Sequence, residues 1–250
     1  MIQVMRRELR LCFTTPVAAV LVVFLVLAGV LTFGVGAAGG PLFERGQADL
    51  RPFFFWHPWL HLLLVPALAM RMWAEERREG TLELLLTLPL RVRSLVVGKF
   101  LAAWLFVGFA LTLTFPVWVT IGYLGQPDHG VIAAAYLGSW VMAGGLLAVS
   151  AAASAATRSQ AVAFVVGVLL CFLLLLLGTP PVRDVAEAAA GGAAAGRGWG
   201  GRLATASPLT HFDPTVSRGV LDLRDALYFL SLILAGLGCT AVLVVRARRT

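Results

Sequence analysis

Six long apolar runs limit what this chain can fold into. They lie at about 16–38, 53–73, 95–123, 131–156, 161–178 and 226–245, and none carries a charge in its central part. A helix needs roughly 20 apolar residues to cross the hydrocarbon core of a bilayer. The runs lack the two-residue alternation of barrel strands, so helices are the only spanning structure left. We therefore predict an all-α polytopic membrane protein, with residues 1–250 forming one transmembrane domain of six transmembrane helices.

Composition and charge support this fold class and argue against nucleic acid as a partner. Hydrophobic residues make up 59% of the chain and charged residues 13%, whereas soluble domains carry about 25% charged residues. The net charge of +7 arises from Lys and Arg clustered beside the apolar runs, and no basic stripe with interleaved aromatics occurs. Such clustering is typical of the positive-inside bias, so membrane lipid is the expected surrounding. The three cysteines are far apart and fit neither a disulfide framework nor a zinc site.

The distribution of Lys and Arg also predicts the orientation. Thirteen of the 20 fall in the N-terminal segment, the stretch 71–99, the fourth–fifth connection and the C-terminus. We expect a multi-pass protein of the cytoplasmic (inner) membrane with both termini cytoplasmic. The first run is too long for a cleaved signal and is expected to stay as a signal anchor. Segment 179–225 is then an extracytoplasmic loop. Its Ala/Gly-rich tract at 186–201 should be flexible or weakly helical, and 207–212 should dock on the outer membrane surface.

Residues 1–15 form an amphipathic pattern that is too polar to cross a membrane. Apolar residues recur at helical spacing with three arginines between them, which predicts an interfacial helix on the cytoplasmic side. A frayed basic leader is the alternative. The apolar positions are Ile2, Met5, Leu9 and Phe13, and the arginines are Arg6, Arg7 and Arg10.

The connection between the second and third runs carries the most informative pattern. A charged cluster ends the second run, and Gly80 is a natural helix terminator because it adopts positive φ without penalty. Thr81 can cap a short leucine-rich helix over 82–88, which Pro89 stops. Such an exposed apolar helix needs lipid or a partner protein with a groove. A re-entrant or interfacial loop that serves only topology is the alternative. At the start of the third run, Lys99 is expected to snorkel toward the head groups.

The connection contains Glu75, Glu76, Arg77, Gly80, Thr81, Leu82, Glu83, Leu85, Leu86 and Pro89, followed by Val97-Gly98-Lys99-Phe100. With these residues it resembles the coupling-loop signature of ABC-2-type permeases, and within them it is most similar to the gliding-motility type. The resemblance extends to His211-Phe212, Arg218-Gly219-Val220 and Asp225 near the last span.

The resemblance implies that the short cytoplasmic coupling helix docks on a separate ABC ATPase subunit, which holds ATP and Mg. It also implies a second permease copy or a related permease as a partner. The chain itself is not expected to be an enzyme and needs no cofactor, catalytic residue or metal. Gly98-Lys99 is no phosphate loop, because Phe100 stands where Ser or Thr is required.

Three interpretations stay open at the level of sequence. His57 and His61 lie four residues apart in an aromatic phrase, where interface anchoring is favoured over a metal site because no third ligand is nearby. A ridge of small residues at 144, 148, 152 and 156 favours helix packing, or a specific dimer seam. The function favoured is export or flipping driven by ATP. The alternatives are a membrane anchor or mechanical coupler without transport, and a copper-enzyme maturation permease.

Overall fold

The computed structural model describes residues 2–14, 17–35, 49–81, 92–189, 199–219 and 222–247, and the regular elements in these ranges are all helices. The first half of the chain forms α1 (Ile2–Thr14), α2 (Val17–Val30, continued by a π-helix over Leu31–Val35), α3 (Arg51–Phe55), α4 (His57–Arg78), α5 (Val92–Thr112) and α6 (Phe115–Leu124). The second half forms α7 (His129–Ala156), α8 (Gln160–Leu176), α9 (Pro180–Ala189), α10 (Trp199–Thr205), α11 (Pro208–Arg218) and α12 (Leu223–Ala247).

Within the described ranges, three helical segments are long and apolar enough to cross a membrane. They are Val92–Leu124, His129–Ala156 and Leu223–Ala247, and they coincide with the third, fourth and sixth apolar runs. The first and fifth runs form shorter apolar helices, Leu21–Val35 and Gln160–Leu176. The second run forms α4, whose 22 residues end in charged residues. The all-α class is thus observed over the described ranges, and the count of six spans stays a prediction.

Helix α7 lies at the centre of the bundle and packs against α4, α5, α8, α11 and α12. Small residues let its neighbours approach closely, since a Cβ on Gly236 of α12 would lie 2.7 Å from the carbonyl carbon of Ala148. One turn earlier on α7, a Cβ on Gly144 would lie 2.8 Å from the indole nitrogen of Trp104. Gly144 and Ala148 therefore serve packing within the chain.

Pro116 interrupts the third span. Helix α5 ends at Thr112, and α6 begins at Phe115 with the proline in its first turn. The backbone N–H and the hydroxyl of Thr114 both donate to the carbonyl of Leu111, at 3.1 and 2.6 Å, and so close the turn after α5. Pro66, in contrast, lies inside α4 without ending it.

Segment 179–225 is largely helical, with α9, α10 and α11 in its described part. Ser207 and Phe212 are buried, and α11 packs mainly against α7. The prediction that 207–212 lies on the membrane surface is wrong, because these side chains are buried inside the protein. Residues 190–198 of the Ala/Gly-rich tract are outside the described ranges.

His211 connects this segment to α12. Its Nδ1 lies 2.6 Å from Oδ1 of Asp225, and its Nε2 lies 2.9 Å from the carbonyl oxygen of Thr205. A backbone carbonyl can only accept, so Nε2 is the donor in the bond to Thr205. The ring of Tyr228 stacks on it at 4.0 Å. One side chain thus joins α10, α11 and α12.

Candidate functional site at the charged ends of α4 and α5

Polar side chains from three helices meet where α4 ends and α5 begins, close to the end of α7. We call this group the charged junction. It consists of Glu8 from α1, of Arg71, Glu75, Glu76 and Arg77 from α4, and of Lys99 from α5.

Lys99 is the centre of the charged junction and is only 4% exposed. Its Nζ lies 2.6 Å from Oε1 of Glu76 and 3.5 Å from Oε1 of Glu8. It also donates to the carbonyl of Met72 at 2.9 Å and lies 5.1 Å from the ring centroid of Trp73. The ammonium group is therefore turned into the protein, and the prediction that it snorkels to head groups is wrong.

Glu76 is held in a poorly solvated position. Burial raises the pKa of this carboxyl, and the positive charge and hydrogen bond of Lys99 only partly oppose the shift. Its second oxygen, Oε2, has no hydrogen-bond partner among the described residues. Each of the two buried charges thus depends mainly on the other, because Glu8 is farther from Lys99 than Glu76 is.

Glu75, the adjacent residue, has the opposite environment. Nε and Nη2 of Arg71 donate to its two carboxylate oxygens at 3.0 and 3.1 Å, a bidentate pair one helical turn apart. These hydrogen bonds lower the pKa of Glu75, and a further hydrogen bond from Gln160 at the start of α8 acts in the same direction. Glu75 is therefore held as a carboxylate that links α4 to α8.

The end of α7 is bonded directly into α4. The hydroxyl of Ser154 accepts from the backbone N–H groups of Trp73 and Ala74 at 3.2 Å and donates to the carbonyl of Met70 at 3.1 Å. The guanidinium of Arg77 donates to the carbonyl of Ala155. A hydroxyl inserted among the backbone groups of a neighbouring helix fixes the relative height of the two helices.

Gly80 ends α4 in the way its sequence position predicts. It has a φ of 71°, and Glu79, just before it, donates its N–H to the carbonyl of Glu75. The hydroxyl of Thr81 turns back to the carbonyl of Glu76 at 3.4 Å. The remaining predicted coupling residues, Leu82, Glu83, Leu85, Leu86 and Pro89, lie outside the described residues, so the coupling helix stays a prediction.

The charged junction joins the two ends of the connection between α4 and α5. Glu76 precedes this connection and Lys99 follows it, yet the two side chains are in contact at 2.6 Å. A force on the connection therefore acts on α4 and α5 together. Through Glu8 it reaches α1, and through Ser154 and Arg77 it reaches α7. This arrangement is suited to transmitting movement.

His57 and His61 do not anchor the protein in an aromatic belt at the membrane surface. Both side chains are fully buried, and they pack against Phe24, Phe53 and Phe54. The interpretation as interface anchors is wrong for these two residues, because α2 and α3 fold over them. Within the described ranges, no group of three or more His, Cys, Asp or Glu residues is arranged to hold a metal ion.

Known proteins are similar to this chain in sequence. The model of the ABC-2 family transporter proteins matches residues 63–247. Heme exporter protein B of Paracoccus denitrificans is 33% identical over 172 residues, which cover 68% of this chain and 72% of that protein. Heme exporter protein B of Rhodobacter capsulatus is 31% identical over 107 residues, 42% of this chain and 45% of that protein. The finer resemblance to gliding-motility permeases is thus corrected, since these relatives are heme exporter proteins B.

Proposed function

The chain belongs to the ABC-2 transporter family, and we propose that it is the permease subunit of an exporter driven by ATP hydrolysis on a separate chain. The observation that carries the proposal is the charged junction, which joins both ends of the connection between α4 and α5 to α1 and α7. In this proposal the connection receives the movement of the ATPase subunit. The junction then distributes the movement to the membrane helices.

The predicted coupling residues divide into two groups in this proposal. Glu75, Glu76 and Arg77 hold the connection to the bundle, and Gly80 with Thr81 shapes the turn out of α4. Residues 82–89 form the helix that docks on the ATPase subunit. The assembly contains a second permease copy or a related permease, and it lies in the inner membrane with both termini cytoplasmic.

We propose heme, or a similarly flat and largely apolar ring system, as the cargo. The names of the two relatives support this choice over copper-enzyme maturation. A recess of about 750 Å³ between α5, α6 and α7 supports it independently, because its lining is mostly apolar and aromatic. Trp118, Tyr136 and Trp140 line this recess, and such side chains offer faces for stacking on a flat ring.

The test is ATP-dependent heme movement into inside-out vesicles that contain the chain together with its co-purified ATPase subunit. Replacing Glu83 with Ala, or Gly80-Thr81 with Ala-Val, should abolish the stimulation of ATP hydrolysis and the heme movement, while membrane insertion stays normal. Asp184→Asn, an exposed change on α9, is the matched control and should leave both activities unchanged. Normal coupling in the loop variants would contradict the proposal.

A mechanical role without transport is distinguished in the same vesicles. ATP hydrolysis that depends on the loop but is accompanied by no heme movement would favour an anchor or coupler. Quenching of Trp118 and Trp140 fluorescence by heme reports on cargo binding. Loss of this quenching in a Tyr136→Ala variant, which keeps both tryptophans, is expected if the recess holds the cargo.

A further inference from the structure

Two histidines buried between α2, α3, α4 and α7 have hydrogen-bonding atoms that the rest of the fold does not use. His57 and His61 are both 0% exposed. Nε2 of His57 and both ring nitrogens of His61 have no hydrogen-bond partner among the described residues. Buried polar atoms are nearly always satisfied, and an unsatisfied one calls for an ion, a water or a catalytic role. Each ring therefore has a nitrogen that is available to a ligand.

The two rings are close enough for one ion to contact both. They lie four residues apart on the same face of α4, with ring centroids 5.6 Å apart. Two imidazoles on one ion have centroids at most roughly 6.5 Å apart, because each metal–nitrogen bond is about 2 Å long. The observed spacing is within that limit.

Ser139 orients the first of the two rings. Its Oγ lies 2.7 Å from Nδ1 of His57, which leaves Nε2 as the free nitrogen of that ring. Histidines that bind metals are usually fixed in this way by a hydrogen bond at their other nitrogen. Phe53 packs edge-on against His57 at 4.4 Å, and Phe24 stacks on His61 at 5.9 Å. Both rings are thus held by their surroundings.

The surroundings also determine which ion would fit. The described residues offer no third His, Cys, Asp or Glu in the cluster, whereas zinc takes four ligands and calcium six to eight. The cost of burying an ion rises with the square of its charge, so a divalent ion costs about four times as much as a monovalent one. We propose that His57 and His61 form a two-coordinate site for a monovalent transition-metal ion, Cu(I), with Ser139 as a positioning residue.

The test is Cu(I) binding to the full-length protein in detergent under reducing conditions. Competition against a Cu(I) chelator should give one ion per chain, and X-ray absorption should show two nitrogen ligands and no sulfur. His57→Leu and His61→Leu should each weaken binding at least about 100-fold. Ser139→Ala should weaken it about 10- to 100-fold, as loss of an orienting partner does. His129→Gln, an exposed histidine outside the cluster, is the control and should have no effect.

Other outcomes overturn the proposal. The absence of Cu(I) binding, sulfur ligation, or unchanged affinity in both histidine variants would mean that the pair serves packing only. Preferential binding of Zn²⁺ with four ligands would overturn the two-coordinate site. The absorption measurement on the unaltered protein decides the question even if a histidine variant does not fold.

Discussion

Replacing Lys99 with methionine tests whether the charged junction holds as a unit. Methionine keeps most of the aliphatic stem and removes the charge, so Glu76 is left buried with its side chain only 13% exposed. Removing one partner of a buried ion pair costs about 3–5 kcal/mol, because the other charge stays buried without compensation. For a chain of this size, that loss lowers the Tm by about 6–20 °C.

The double variant Glu76→Gln/Lys99→Met separates pairing from packing. With both charges removed, the stability should return to within about 1 kcal/mol of the original protein, because a buried pair is often no better than neutral residues of similar volume. The two substitutions should thus show a coupling of at least about 2 kcal/mol. Tryptophan fluorescence during thermal unfolding in detergent measures all four proteins of this cycle. If the stability loss of the double variant equals the sum of the losses of the two single variants, the reasoning is refuted.

The loss of stability in the Lys99→Met variant should also depend on pH. Burial raises the pKa of Glu76 in the folded state, so the folded protein binds this proton more tightly than the unfolded chain does. Stability then falls as the pH rises through the raised pKa, and without Lys99 only the weaker attraction of Arg7 opposes the shift. The deficit should be largest above that pKa and should shrink as the pH falls. A deficit that is constant between pH 5 and 8 would contradict this assignment.

Three further substitutions test single features. Gly80→Ala should lower the free energy of unfolding by about 1–2 kcal/mol, because a φ of 71° disfavours residues with a side chain. No atom lies within 4 Å of the added Cβ, so no clash contributes. Gly80→Asn should lower the free energy of unfolding less in the same thermal assay. Gly236→Ala should lower stability by about 1–3 kcal/mol through its clash with Ala148, whereas Gly238→Ala, in open space, should not. Glu75→Gln should cost about 0.3–0.5 kcal/mol at neutral pH. Because the pKa of Glu75 is lowered in the folded state, this difference should vanish in acid, as denaturation at pH 7 and pH 3 would show.

Features that depend on local sequence could be predicted. The apolar runs placed the long helices, and the end of α7 at Ala156 agrees with its predicted boundary. Gly80 was predicted as a terminator because positive φ is a property of one residue in its own backbone. The breaking effect of Pro116 is local in the same sense, because it removes one donor and restricts one dihedral angle.

Features that depend on partners far away in the sequence could not be predicted. A lysine near the end of a span can reach water or an acid, and Lys99 pairs with Glu76, which lies 23 residues away, and with Glu8. The aromatic-rich sequence around His57 is typical of a membrane interface, but in the fold α2 and α3 cover it. Ser154 carried no signal as a bridging residue, because its three partners lie about 80 residues earlier in the chain.

The close packing of α12 on α7 has a consequence for biosynthesis. Gly236 fits against the backbone of Ala148, but the ribosome adds it roughly 90 residues later, which at 5–20 residues per second is a delay of about 5–18 seconds. During that interval the central helix has its glycine-rich side exposed in the membrane. A chain truncated before α12 should therefore be a preferred substrate for membrane quality-control proteases, even though its other helices are already inserted.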